Sequence, residues 1–138
     1  MHKPRKNVDL VIPFNNENLN LQILLPKILK TIKKIKRISI RLIFIDDGST
    51  DLGHLVVKKY QKKVKNIKLL RNKKKEGQTY CYKTYLNSFS SSYFIRMDAD
   101  NQDDPKHLIK ISRLILDGHD MILTDRKLRK HPIYMIIL

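Results

Sequence analysis

The sequence predicts an α/β fold, a sandwich of helices around a mostly parallel sheet, and three observations carry that prediction. β-branched runs alternate with segments whose apolar residues recur at helical spacing, and the links between them are short. Three polar or acidic clusters, Asn16 with Glu17, Asp46 with Asp47, and Asp98 with Asp100, each follow a predicted strand directly. Parallel strands would gather these clusters at one edge, the carboxyl edge where open α/β sheets bind ligands. The 138 residues suffice for one core, and 41% hydrophobic with 30% charged residues marks a globular chain, not a disordered one.

Residues 8–13, Val-Asp-Leu-Val-Ile-Pro, have the β-branched density of a strand and end at Pro13, and residues 14–18 carry turn chemistry. Leu21, Leu24, Leu25, Ile28, Leu29, Ile32 and Ile35 then keep helical spacing. Pro26 interrupts them, so the helix is expected to begin at about that residue. A second strand over 38–45 leads into Asp46-Asp47-Gly48-Ser49-Thr50-Asp51. Gly48 supplies a turn there, and Ser49 or Thr50 is placed to cap a helix bearing Leu55, Val56, Tyr60 and Val64. Asp51 reads as electrostatics at that helix end.

A short third strand at 67–70 precedes a basic loop, 71–78, that contains Gly77. The next helix is expected over 79–89, with Tyr82, Tyr85, Leu86 and Phe89 on one face. Tyr93-Phe94-Ile95, closed by Arg96 and Met97, reads as a buried strand feeding an acidic loop. Asp104 is placed to cap a helix opening at Pro105, where the missing N–H costs nothing; Leu108, Ile111, Leu114 and Ile115 face inward and Gly118 stops it. Residues 121–123 predict a fifth strand. The apolar run 133–138 falls far short of the roughly 20 residues of a membrane span.

A net charge of +16 would ordinarily raise nucleic acid first. The lysines are instead spread over helix faces, no base-reading motif accompanies them, and a coding sequence rich in A and T produces the same bias toward Lys, Ile and Asn. A nucleic-acid partner is therefore not expected, while anionic lipid or a phosphate-bearing substrate fits the charge. The single Cys81 excludes an internal disulfide and points to a reducing, cytoplasmic setting. The charged amino end leads into a strand pattern, not into the apolar core of a signal peptide.

Asp98 and Asp100 are one residue apart, so an extended backbone points both carboxylates the same way, suited to one divalent cation or to a cation and a ribose. So many carboxylates in one loop repel each other unless a cation or a donor array is present. A calcium hand counted from Asp98 wants glycine at its sixth position and glutamate at its twelfth and finds Asp103 and Ile109. A phosphoryl-accepting regulator would leave Asp98-Ala99-Asp100 without a purpose. No P-loop, Gly-x-Gly-x-x-Gly, Cys/His cluster or Ser-His-Asp order is present.

With these residues in view, the sequence resembles the family 2 glycosyltransferases of GT-A fold, particularly the branch that loads sugar onto polyprenyl or dolichyl phosphate. The resemblance is carried by residues 11–19 (a Pro-x-x-Asn-Glu turn), 45–51, Gly77-Gln78-Thr79, the Asp-x-Asp motif in 97–105, and Gly118-His119-Asp120-Met121 followed by Arg126 and Arg129. It implies a GT-A domain over 8–131, after a basic lead, 1–7, and before an apolar tail, 132–138. It also implies that Pro13, Glu17, Asp46, Asp47, Gly77, Gln78 and Asp98 bind a UDP- or GDP-sugar. Asp100 and Gln102 would ligate Mg²⁺ or Mn²⁺, and Arg126 with Arg129 would meet the acceptor phosphate. Asp98, Asp100 and Arg126 would form the catalytic set of an inverting transfer to a polyprenyl-phosphate lipid, at the cytoplasmic face of a membrane.

Thr79-Tyr80-Cys81-Tyr82 stand where the family commonly has small residues, which implies a crowded sugar site. Family members continue well beyond the length seen here, so the acceptor half is expected to be incomplete or supplied by a partner chain. Alternatives are a non-catalytic nucleotide-sugar-binding module and, from another class, a basic nucleic-acid-binding protein.

Overall fold

The first strand, β1 (Lys6–Phe14), is buried from Val8 onward because strands flank it on both sides. A computed structural model describes residues 5–124. After β1 come α1 (Asn18–Ile32), β2 (Ile38–Asp47), α2 (Gly53–Gln61), β3 (Ile67–Asn72), α3 (Gln78–Ser88), β4 (Tyr93–Arg96) and α4 (His107–Leu116). The sheet order is β3-β2-β1-β4 and every pairing is parallel, with Val11 opposite Ile43 on one side and Arg96 on the other. Helices α1, α2 and α3 are therefore crossovers, and the order reverses between β1 and β4.

Strand alternation divides the core. Val8, Leu10, Ile12 and Phe14 join Leu42 and Phe44 beneath the helices α1, α2 and α4, while Val11, Ile43 and Ile45 pack with Cys81 and Tyr85 beneath α3. Asp9 faces the α3 side and is 2% exposed. Its carboxylate accepts two bonds from Arg41, at 2.8 and 2.9 Å, and one from the Tyr85 hydroxyl at 2.8 Å. The hydrogen bond to Asp9 raises the Arg41 pKa against the opposing effect of burial; burial and then the same carboxylate raise Tyr85 well above the ordinary phenol. A buried charge satisfied three times over pins α3 to the sheet.

Several boundaries differ from the sequence expectation. Helix α1 runs through Pro26 instead of starting there. Pro26 and Gln22, whose carbonyl loses its partner, both lie on the exposed side of the helix. The interruption costs about 3 kcal/mol, less than the gain from burying Leu21, Leu24, Leu25 and Ile28 at about 1.5–3 kcal/mol each. Pro13 is tolerated inside β1 because Val11, on the same edge, already accepts from Met97 N–H, and the missing donor falls beyond the last residue paired with β4.

Ser49 and Thr50 do not cap α2; that helix starts at Gly53, whose N–H donates to Asp51 Oδ1 at 2.9 Å. On α3, Leu86 is exposed and Cys81 takes the inward position. The acidic-loop helix starts at His107 after a turn, with Asp104 Oδ1 accepting from Lys106 N–H. Residues 121–123 form no strand. Met121 and Leu123 lie exposed, and three apolar residues without a paired neighbour among the described residues bury too little to order a ladder.

Candidate active site

Two turns at the carboxyl edge are locked together before any ligand is considered. Asn16, held at φ 54°, accepts on Oδ1 from Thr50 N–H at 2.8 Å and Asp51 N–H at 3.1 Å, while its own N–H donates to Ser49 Oγ at 2.9 Å. Asn15 Nδ2 donates to the Asp47 carbonyl at 2.8 Å, and Asp51 Oδ2 accepts from Asn18 N–H at 3.0 Å. These bonds tie the β1–α1 and β2–α2 turns to each other. A second clamp joins the acidic loop to α1, since Asn101, at φ 61°, donates through Nδ2 to Asn20 at 3.0 and 3.1 Å.

Asp47 builds the facing wall. Only 5% exposed, it accepts from Asn72 Nδ2 at 2.8 Å and Glu76 N–H at 2.9 Å on Oδ1, and from Gly77 N–H at 2.8 Å on Oδ2. Burial pushes the carboxyl up, but those hydrogen bonds outweigh it and hold Asp47 below the ordinary carboxylate range. The basic loop 73–77 is thereby laid over Gly48, whose φ is +68°. A Cβ there would sit 2.3 Å from the Lys74 carbonyl carbon and 2.5 Å from Lys75 N, so only glycine lets the loop close.

Between these walls, at the β1/β4 switch point, lies a cleft of about 320 Å³. Of the residues expected to bind donor or metal, Pro13, Glu17, Asp47, Gly77, Gln78, Asp98 and Asp100 line it. Met97 and Ala99 are buried in the core, so strand-like alternation turns Asp98 and Asp100 outward into the same space. Gln78 Nε2 reaches Asp98 Oδ1 at 3.4 Å, and Glu17 Oε2 accepts from Asn20 Nδ2 at 2.6 Å.

Asp46 is not part of the lining. Fully buried, it accepts from Ser49 N–H at 2.8 Å and from Arg71 Nε at 2.9 Å, work that shapes the turn behind the cleft. Gln102 is exposed outside the lining, and its N–H donates to Asp100 Oδ1 at 3.0 Å. Arg126 and Arg129, like the apolar tail, lie outside the described residues.

Residues given no binding role from the sequence also reach the cleft: Phe14, Asn15, Lys75, Cys81 and Ala99. Cys81 was legible in principle, one helical turn after Gln78 and on the same face. Of Thr79 to Tyr82 it alone lines the cleft; Tyr82 packs under Arg96, 4.6 Å from guanidinium to ring, so the expected crowding reduces to one thiol. Burial, with Asp47 beside it, pushes that thiol up to about 11, so it stays protonated and is no nucleophile.

Among the described residues, no group of three or more His, Cys, Asp or Glu is close enough to cage a metal. Asp98 and Asp100 nevertheless fit Mg²⁺ or Mn²⁺, because such ions use one or two protein carboxylates and take further oxygens from substrate phosphates. Among the described residues no helix is long and apolar enough to cross a membrane.

Together, these features define a doubly wound α/β protein whose acidic ligand cleft sits at the switch point of a parallel sheet. The chain belongs to glycosyltransferase family 2, whose profile (Glycosyl transferase family 2) matches residues 9–134. It is 30% identical over 130 residues to an uncharacterised protein of Methanocaldococcus jannaschii, covering 90% of this chain and 54% of that one. It is 28% identical over 131 residues to an undecaprenyl-phosphate 4-deoxy-4-formamido-L-arabinose transferase of Photorhabdus laumondii, covering 94% and 40%. The chain thus spans about half or less of the length of these relatives.

Its fold resembles a mannosyltransferase from Pyrobaculum calidifontis in complex with GDP-Man and Mn²⁺ (TM-score 0.61, 19% identity, 70% of this chain and 28% of that one). It also resembles S. aureus TarS in complex with UDP-GlcNAc (TM-score 0.67, 21% identity, 82% and 32%). The fold is GT-A.

Proposed function

We propose that this chain forms the donor-binding part of a transferase that moves a sugar from a nucleotide-diphosphate sugar to a polyprenyl phosphate. The observation that carries the reading is the convergence of Glu17, Asp47, Gln78, Asp98 and Asp100, from four separate connections, on one cleft. A family 2 relative named for transfer to undecaprenyl phosphate supports the acceptor class, and structural neighbours holding GDP-Man or UDP-GlcNAc support the donor class.

In this reading Pro13 and Glu17 hold the nucleoside end, the loop 73–77 anchored by Asp47 closes over it, and Asp98 with Asp100 hold the divalent cation. When bound, that cation neutralises the charge that the leaving nucleoside diphosphate gains. The acceptor phosphate oxygen forms a bond to the anomeric carbon as the bond from that carbon to the diphosphate breaks, inverting the centre. A phosphate is already anionic at neutral pH, so the chain needs no general base. Arg126 and Arg129 are assigned to the acceptor phosphate because a guanidinium fork matches its oxygens. The transferase would work peripherally at the cytoplasmic face of a membrane, with remaining acceptor-side groups from beyond residue 124 or from a partner chain.

The test is transfer of labelled sugar from UDP- and GDP-sugars to undecaprenyl phosphate in the presence of Mn²⁺, by the chain and by Asp100→Ala. Lipid-linked label that disappears in Asp100→Ala supports the reading. Donor binding without any transfer or donor hydrolysis would replace it with the binding-module alternative.

A further inference from the structure

Carboxylates are unevenly distributed along this chain. No Asp or Glu occurs between residues 18 and 45 or between 52 and 75, and none in α4. The carboxylates of the connecting turns instead crowd the cleft edge. Helices α1 and α2 lie side by side, joined at their amino ends by the bond from Asn18 N–H to Asp51, and each turns a solvent face away from the sheet. Those faces have the same order. Toward the amino ends they expose aliphatic side chains, Leu19 (75%), Ile23 (51%), Leu52 (59%) and Leu55 (47%). Farther along, lysines are exposed, among them Lys27 and Lys30 on α1, Lys59 on α2 and Lys63 just after it.

We propose that this two-helix face docks the chain on an anionic lipid bilayer, with the four aliphatic residues at the acyl boundary and the lysines on the headgroups. Charge complementarity selects the partner: two helices that carry no carboxylate of their own and are rich in lysine suit anionic headgroups. A nucleic acid would match the charge but offers nothing to four exposed aliphatic side chains, which an interface between headgroup and acyl chain buries. Both helices run antiparallel to the strands, so their apolar ends flank the cleft edge and docking brings its mouth to the membrane surface. The inference stands on exposure and charge, independent of what the cleft binds.

Sedimentation of the full chain with phosphatidylcholine vesicles, with and without phosphatidylglycerol, tests it. Binding is expected only to the anionic vesicles and is expected to weaken with salt. Leu19→Ser/Ile23→Ser/Leu52→Ser/Leu55→Ser should weaken it about tenfold or more, with the unfolding midpoint retained. Lys27→Gln/Lys30→Gln/Lys59→Gln should weaken it far more than the charge-matched Lys65→Gln/Lys68→Gln/Lys83→Gln. The proposal is overturned if the chain ignores anionic vesicles, if the serine variant binds as tightly as the unaltered chain, or if the two lysine variants behave alike. It is equally overturned by duplex DNA or RNA binding more tightly than the vesicles, with no response to the serine substitutions.

Discussion

Replacing Asp47 by asparagine changes one atom and should unfasten the loop that closes the cleft. The carboxylate accepts three hydrogen bonds, two on Oδ1 and one on Oδ2. An asparagine keeps its oxygen toward Asn72 and Glu76 and so turns its NH₂ toward the Gly77 N–H, donor against donor. Two charge-assisted bonds become neutral, at about 1 kcal/mol each, and one is lost with its donor orphaned, at about 1–3 kcal/mol. Gly77 is only half-buried and relief of the buried charge returns part of this, so the net loss is about 2–3 kcal/mol.

The sign against pH follows from the lowered carboxyl pKa of Asp47. Its contribution is fully present above the unfolded value near 4 and is lost as pH falls through the lower folded value. Urea unfolding of both proteins at neutral pH and at progressively lower pH measures this. The gap should be largest at about pH 6–7 and close on acidification below about pH 4. A gap that persists undiminished in acid, or none at neutral pH, would refute the assignment of the loop anchor to this carboxylate.

Gly48→Ala should destabilise the fold by about 2–4 kcal/mol, because the left-handed φ alone costs a side chain about 1–2 and the loop backbone must move away; an unchanged unfolding midpoint would contradict this. Cys81 should resist iodoacetamide in the native chain at neutral pH, reacting roughly a hundredfold or more below an ordinary thiol until denaturant is added, whereas prompt labelling would contradict its buried, protonated state. Tyr85→Phe removes one of three donors to buried Asp9 and should cost about 1–2 kcal/mol in urea unfolding, with no loss indicating that the hydroxyl bond is not formed.

Much of the fold was legible because its signals are local. The strand runs, the helical spacing of Leu21 to Ile32 and the acidic turns all place themselves within a few residues. What was missed depends on partners far along the chain. Pro26 reads as a break in isolation, yet the burial of its helix neighbours outweighs it. Ser49 and Thr50 look like caps until Asn16, more than thirty residues away, is seen to engage them. Asp46 and Asp47 are adjacent and chemically identical, but one turns toward Arg71 behind the cleft and the other toward the basic loop at its wall. No pattern of letters separates them. The short run at 121–123 shows the opposite error, β propensity without a paired neighbour among the described residues.

Thermal unfolding of the chain with UDP or GDP, each with and without Mn²⁺, for the unaltered protein and Asp100→Ala, bears most directly on the cleft as a donor site. A ligand that binds only the folded state at about a hundredfold its dissociation constant stabilises it by about 2.7 kcal/mol, a midpoint rise on the order of 5–10 °C for a chain of this size. A rise with one nucleotide that requires Mn²⁺ and vanishes in Asp100→Ala is the predicted result. A folded chain whose midpoint responds to neither nucleotide, with or without the metal, would contradict it.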